Sequence, residues 1–133
     1  MKKILIVDDL PEINELIQLT ISIRDFKIIQ AETGPDALEL ARTELPDLVL
    51  LDVVLPEGGL DGFQVCRTLK DDPLTSHIKI FLLTALKSEG DRKHGYEVGA
   101  DWYCTKPFSP LELIGKIEEV LLVDENSSGE GAP

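Results

Sequence analysis

A chain of 133 residues with 25 acidic and 13 basic side chains has a formal net charge of −12, and that surface repels a phosphate backbone, which sets direct nucleic-acid binding aside. Its 43% hydrophobic and 29% charged residues are ordinary for a soluble globule, and the length fits one domain that buries about two-thirds of its unfolded surface. No apolar run reaches the length of a membrane span, and the four apolar residues behind Met1-Lys2-Lys3 are too few for a signal peptide, so a cytoplasmic location is expected.

In chain order, the first predicted element is a strand from Lys3 to Val7 that stops at Asp8-Asp9. An apolar run without alternation marks a strand buried on both faces, as parallel sheets require. Ile13, Leu16, Ile17 and Ile21 follow at helical spacing and form one stripe. A second strand spans Lys27 to Ala31. Gly34-Pro35 then opens a helix marked by Ala37, Leu38 and Ala41, with proline at the first helical position, where its missing donor costs nothing. The third strand, Leu48 to Leu51, stops at Asp52. Val65 and Leu69 mark a third helix that Asp72-Pro73 ends.

The fourth strand, Lys79 to Leu83, stops at Thr84. The helical segment after it, Glu89 to Val98, is the poorest of the five, because Gly90 and Gly95 each lower helix propensity by about 1 kcal/mol relative to alanine. A marginal helix there is a candidate for movement. Trp102 to Thr105 forms the fifth strand and stops at Lys106-Pro107. Ser109-Pro110-Leu111-Glu112 has the pattern of a capping box and opens a last helix with Leu113, Ile114, Ile117, Val120 and Leu121 on one stripe. Residues 1–123 read as one domain, and residues 124–133 as a flexible tail or the start of a linker.

Strand and helix alternating in this way predict a doubly wound α/β domain with right-handed crossovers. In such folds ligands sit at the carboxyl edge of the parallel sheet. Asp8, Asp9, Asp52, Thr84 and Lys106 all follow strand ends, so they gather at that edge. Crowded carboxylates favour a divalent cation, and magnesium takes hard oxygen ligands alongside phosphate. Asp52 would serve as a nucleophile toward phosphorus, with Lys106 and Thr84 placed to meet phosphoryl oxygens. Each residue also has a plainer reading. An aspartate pair after a strand suits a helix N-cap, Thr84 suits a strand, Tyr103 suits the core, and Lys106 suits a solvated loop. Cys66 and Cys104 lack metal or redox spacing and read as reduced core residues, while His77 and His94 read as surface residues.

The motifs Asp8-Asp9, Asp52 with Leu55-Pro56 and Asp61-Gly62, Thr84-Ala85, and Gly99-Ala100-Asp101 running into Lys106-Pro107-Phe108 occur here in one order. In these the chain resembles the receiver domains of bacterial two-component response regulators, of the chemotaxis-regulator type, from Lys3 to about Leu122. The resemblance implies a flavodoxin-like five-stranded parallel sheet in order 2-1-3-4-5 flanked by five helices. It implies Asp52 as phosphoacceptor, and Mg2+ held by Asp8, Asp9, Asp52 and the backbone carbonyl of Val54. It also implies Thr84 as switch hydroxyl, Tyr103 as the aromatic that turns inward with it, Lys106 on the phosphoryl group, and a cis peptide at Pro107.

The partners implied are a sensor histidine kinase or phosphotransfer protein and a downstream protein on the surface of the fourth helix, fifth strand and fifth helix, with a monomer or a phosphorylation-dependent dimer. Catalysis would be limited to the domain's own phosphorylation and dephosphorylation. Two departures stand out. The Glu57-Gly58-Gly59-Leu60 stretch lengthens the loop after Asp52 by about two residues. Val54 and Leu86 are apolar where many relatives are polar, so a long-lived phosphoaspartate is expected. A phosphorylation-independent interaction module and a magnesium-dependent phosphate-ester hydrolase are the rival readings. The hydrolase would need a second acid and a covering cap, and the sequence offers neither. Trp102 should point away from Tyr103, either packed over the sheet edge or half-exposed as a partner contact.

Overall fold

The computed structural model describes residues 1–56 and 59–123. Five strands alternate with five helices: β1 (Lys3–Val7), α1 (Pro11–Ile21), β2 (Lys27–Ala31), α2 (Gly34–Glu44), β3 (Leu48–Leu51), α3 (Gly62–Asp71), β4 (Lys79–Thr84), α4 (Glu89–Glu97), β5 (Trp102–Thr105) and α5 (Pro110–Glu118). A π-helical turn, Glu119–Val123, continues α5. All neighbouring strands are parallel, in the order β2-β1-β3-β4-β5. The tail expected at residues 124–133 and the Glu57-Gly58 part of the long loop lie outside the described residues.

Alternate strand residues feed two separate cores. Ile4, Ile6, Leu48, Leu50, Phe81 and Leu83 pack with Ile17 and Ile21 of α1 and Leu113 and Ile117 of α5. Leu5, Val7, Val49, Leu51, Ile80 and Leu82 pack with Ala37 and Ala41 of α2, Val65 and Leu69 of α3, and Val98 at the end of α4. Both faces of the sheet are therefore covered, which is why the strands read as continuous apolar runs rather than as alternating ones.

Several local expectations need correction. Leu16 does not belong to the buried stripe of α1: it is 41% exposed, and the inward residues are Asn14, Ile17 and Ile21. Leu19 is exposed as well, so α1 is apolar on more than its core side, and this wider stripe hid the true inward face. The N-cap of α1 is Leu10, not an aspartate, and the carboxylate of Asp8 accepts from the Leu10 N–H at 2.9 Å instead. Gly34 takes the first position of α2, one residue before Pro35, with Thr33 as the cap. Ser109 caps α5 by accepting from the Glu112 N–H. The fully reciprocal capping box is at α3, between Asp61 and Gln64.

Trp102 packs over the sheet edge. Its ring meets Phe81 edge-on at 5.2 Å, and Lys116 lies 5.8 Å above it. Tyr103 faces the opposite side of the sheet. Cys66 and Cys104 are buried and unpaired in disulfides, and burial pushes the Cys66 thiol up to about 12, too high for a reactive thiolate. His77 and His94 are on the surface, as expected, with His94 resting edge-on against Phe63.

Candidate functional site

Register assembles the site. Val7 pairs with Leu51, so the residues one step beyond, Asp8 and Asp52, leave the sheet side by side. Thr84 pairs with Thr105, which puts Lys106 level with the start of the loop after β4. The Lys106 N–H donates to the Thr84 carbonyl at 2.8 Å, and the Lys106-Pro107 peptide is cis. The Lys106 ammonium then reaches inward and donates to Asp8 Oδ2 at 2.7 Å and to Asp52 Oδ2 at 3.0 Å.

These three groups are nearly out of water, with side-chain exposures of 13%, 3% and 8% for Lys106, Asp8 and Asp52. Burial works against the charge on Lys106, but its hydrogen bonds to Asp8 and the charge of Asp52 outweigh that. They hold the ammonium above the ordinary lysine range. The other Asp52 oxygen, Oδ1, accepts from the Val54 N–H at 3.1 Å. Backbone and lysine thus hold the carboxylate from two sides.

Around this centre Asp9, Leu10, Val54, Leu55, Pro56 and Ala85 line one cleft with Asp52 and Lys106. Asp9 is exposed, and among the described residues no three metal-ligating side chains are already assembled as a cage. Magnesium needs no such cage, since one or two carboxylates with waters and phosphate suffice. The carboxylates gathered here, Asp9 and Asp52 in the cleft with Asp8 beside Asp52, are hard oxygen donors throughout. The Lys106 ammonium, bridging Asp8 and Asp52, marks a place where positive charge is already favoured. The residues present fit the ion.

Thr84 is fully buried, and its hydroxyl oxygen accepts from the Leu86 N–H at 3.3 Å. Tyr103 is turned inward, 1% exposed, with its hydroxyl donating to the Leu86 carbonyl at 2.8 Å. Burial raises its phenol above the usual range. The loop after β4 is therefore gripped at one residue by both Thr84 and Tyr103. From α4, Arg92 donates to the Tyr103 carbonyl at 3.1 Å, and the Tyr96 hydroxyl accepts from the Tyr103 N–H at 3.1 Å. These contacts cover edge-strand groups that would otherwise be free to pair with another chain.

Gly95, which the sequence marks only as a helix weakener, allows α4 to come this close. A Cβ there would stand 2.6 Å from the Tyr103 ring. The Gly99-Ala100-Asp101 motif is a lock of another kind. Asp101 accepts from the Ile80 N–H and pairs with Lys70 at 3.0 Å, tying α3 to the entry of β4. Sequence reasoning missed Asn14, Arg92 and Tyr96. Only Asn14 left a signal, as a polar residue at helical spacing from Ile17 and Ile21.

The family model for the response regulator receiver domain matches residues 4–118. This chain belongs to that family. It is 42% identical over 127 residues to the response regulator PleD of Caulobacter vibrioides, covering 92% of this chain and 28% of that one. It is 44% identical over 120 residues to the alkaline phosphatase synthesis transcriptional regulatory protein PhoP of Bacillus subtilis, covering 90% of this chain and 48% of that one. Among solved structures, the BeF3-activated N-terminal receiver domain of Klebsiella pneumoniae RstA superimposes with a TM-score of 0.82 at 35% identity, covering 91% of this chain and 99% of that one. The chain thus spans less than half the length of these two curated relatives. It is a receiver domain of two-component systems with the flavodoxin-like order β2-β1-β3-β4-β5. No helix among the described residues is long and apolar enough to cross a membrane.

Proposed function

We propose that this receiver accepts a phosphoryl group on Asp52, from the phosphohistidine of a histidine kinase or phosphotransfer protein or from a small acyl phosphate. The observation that carries this reading is the buried Asp8–Lys106–Asp52 arrangement at the carboxyl edge of the sheet. An Asp52 carboxylate oxygen attacks phosphorus. The bond from phosphorus to the donor's imidazole nitrogen or acyl oxygen breaks, and its electron pair leaves with the donor. Lys106 moves from bridging two carboxylates to neutralising a phosphoryl oxygen, and the Thr84 hydroxyl donates to another.

Asp8, Asp9, Asp52 and the Val54 carbonyl would hold Mg2+, which supplies charge neutralisation for the phosphoryl oxygens. Leu10, Val54, Leu55 and Pro56 offer an apolar rim for the donor protein. Thr84 drawn toward the phosphoryl group would reset its contact with the Leu86 loop, and with it the Tyr103 and α4 contacts described above. A population shift of the α4-β5-α5 face toward a downstream partner follows, with no other chemistry than the domain's own phosphorylation and dephosphorylation.

The test is the intact mass of wild type and Asp52→Asn after incubation with acetyl phosphate and magnesium. Wild type gains one phosphoryl group, Asp52→Asn gains none, and chelating the metal abolishes the gain. No gain in either chain would instead support an interaction module that works unmodified.

Hydrolysis is expected to be slow. Val54 is 57% exposed over the cleft and offers no side-chain polar group to place an attacking water. Val54→Asn should shorten the phosphoaspartate half-life severalfold, as followed by intact mass after removal of the donor. An unchanged half-life would show that Val54 does not limit the water.

A further inference from the structure

Asn14 is 7% exposed and stands on the inward stripe of α1 with Ile17 and Ile21. An amide on a core face is costly unless its polar atoms are paired. Its Nδ2 donates to the Asp8 carbonyl at 3.0 Å. Its Oδ1 is enclosed and has no hydrogen-bond partner among the described residues. Leucine at this position would bury more apolar surface and leave no orphaned atom, so filling the core does not account for an amide here.

The contact that does account for it is with the backbone of the acid pair. The Asp8 carbonyl belongs to the planar peptide that joins Asp8 to Asp9. Pinning its oxygen sets the plane from which the Asp9 backbone departs, and so the direction of the Asp9 side chain. The Asp8 side chain is already fixed twice, by the Leu10 N–H at 2.9 Å and by Lys106 at 2.7 Å. The exposed Asp9 carboxylate has no such hydrogen bond or ion pair among the described residues. Its aim depends on its backbone alone.

We infer that Asn14 is a positioning residue for the divalent cation, holding the Asp8–Asp9 peptide so that both carboxylates face the cleft with Asp52. This rests on the magnesium reading above. Removing groups that orient metal ligands from behind lowers metal affinity about 10–100-fold.

The experiment is calorimetric titration of magnesium chloride into the full chain, for wild type, Asn14→Leu and Asn14→Ala, with thermal melting of each in a chelator. The expected result is a magnesium dissociation constant raised about tenfold or more in both variants. Asn14→Leu should at the same time melt in chelator no lower than wild type. Wild type binding magnesium while both variants bind within twofold of it overturns the inference and leaves the site reading intact. Lower melting with unchanged affinity does the same, since it assigns Asn14 to packing alone. A wild type that binds no magnesium overturns the site reading itself, and the inference with it. Should Asn14→Leu fail to fold, the shorter Asn14→Ala decides between the same outcomes.

Discussion

Replacing Lys106 by methionine should cost the metal-free chain about 3 kcal/mol at neutral pH, with much of the loss returning when magnesium is added. The physical reason is the asymmetry of buried ion pairs. Asp8 and Asp52 are 3% and 8% exposed in their side chains, and both accept hydrogen bonds from one ammonium. Breaking a buried pair by removing one partner costs about 3–5 kcal/mol, because the remaining charge stays out of water. Here two carboxylates would remain and would face each other. A cation bound only by the folded state restores stability by mass action, about 2.7 kcal/mol at roughly a hundred times its dissociation constant.

Urea unfolding of wild type and Lys106→Met, each in chelator and in excess magnesium, makes the comparison. Equal stability of the two chains in chelator would show that the triad holds nothing together. The alkaline limb gives a second signature. The folded state raises the Lys106 ammonium above the ordinary lysine range, so its contribution is fully present below about pH 10.4. It is lost as pH rises through the folded value. Wild-type stability should therefore fall in that strongly alkaline range by more than that of Lys106→Met.

Gly62→Ala should be as damaging from the opposite side of the site. The Gly62 N–H donates to the Val53 carbonyl at 2.8 Å, drawing the start of α3 against the strand exit. A methyl group there would lie 2.2 Å from the Asp52 carbonyl oxygen and 2.6 Å from the Val53 Cα. Both neighbours are backbone and cannot rotate away. Overpacking typically costs about 1–3 kcal/mol, and contact with backbone on two sides puts this case at the upper end. Relief requires Asp52 to move, so phosphoryl gain from acetyl phosphate should fall together with the urea midpoint. Gly115→Ala on α5 is the control: nothing lies within 4 Å of its Cβ, and helix propensity favours alanine by up to about 1 kcal/mol. If Gly62→Ala matches that control in stability and in phosphoryl gain, the close packing of α3 on Asp52 is not needed.

The sequence by itself determined the order and kind of the elements, because burial on both sheet faces and helical spacing leave periods that a chain displays locally. It also determined that Asp8, Asp52, Thr84 and Lys106 end up at one edge, since each ends or follows a parallel strand. It could not say that one ammonium bridges two carboxylates. Lys106 is 98 residues from Asp8 and 54 from Asp52, and that contact depends on strand register. On α1, Leu16 and Leu19 widen the apolar surface, and only packing against the sheet and α5 decides that Asn14, not Leu16, turns inward. Gly95 shows the same limit. Propensity counts it as a loss to α4, whereas the fold uses its missing side chain to seat the Tyr103 ring. Local patterns record which residues must be buried, and only the tertiary structure decides what each buried group meets.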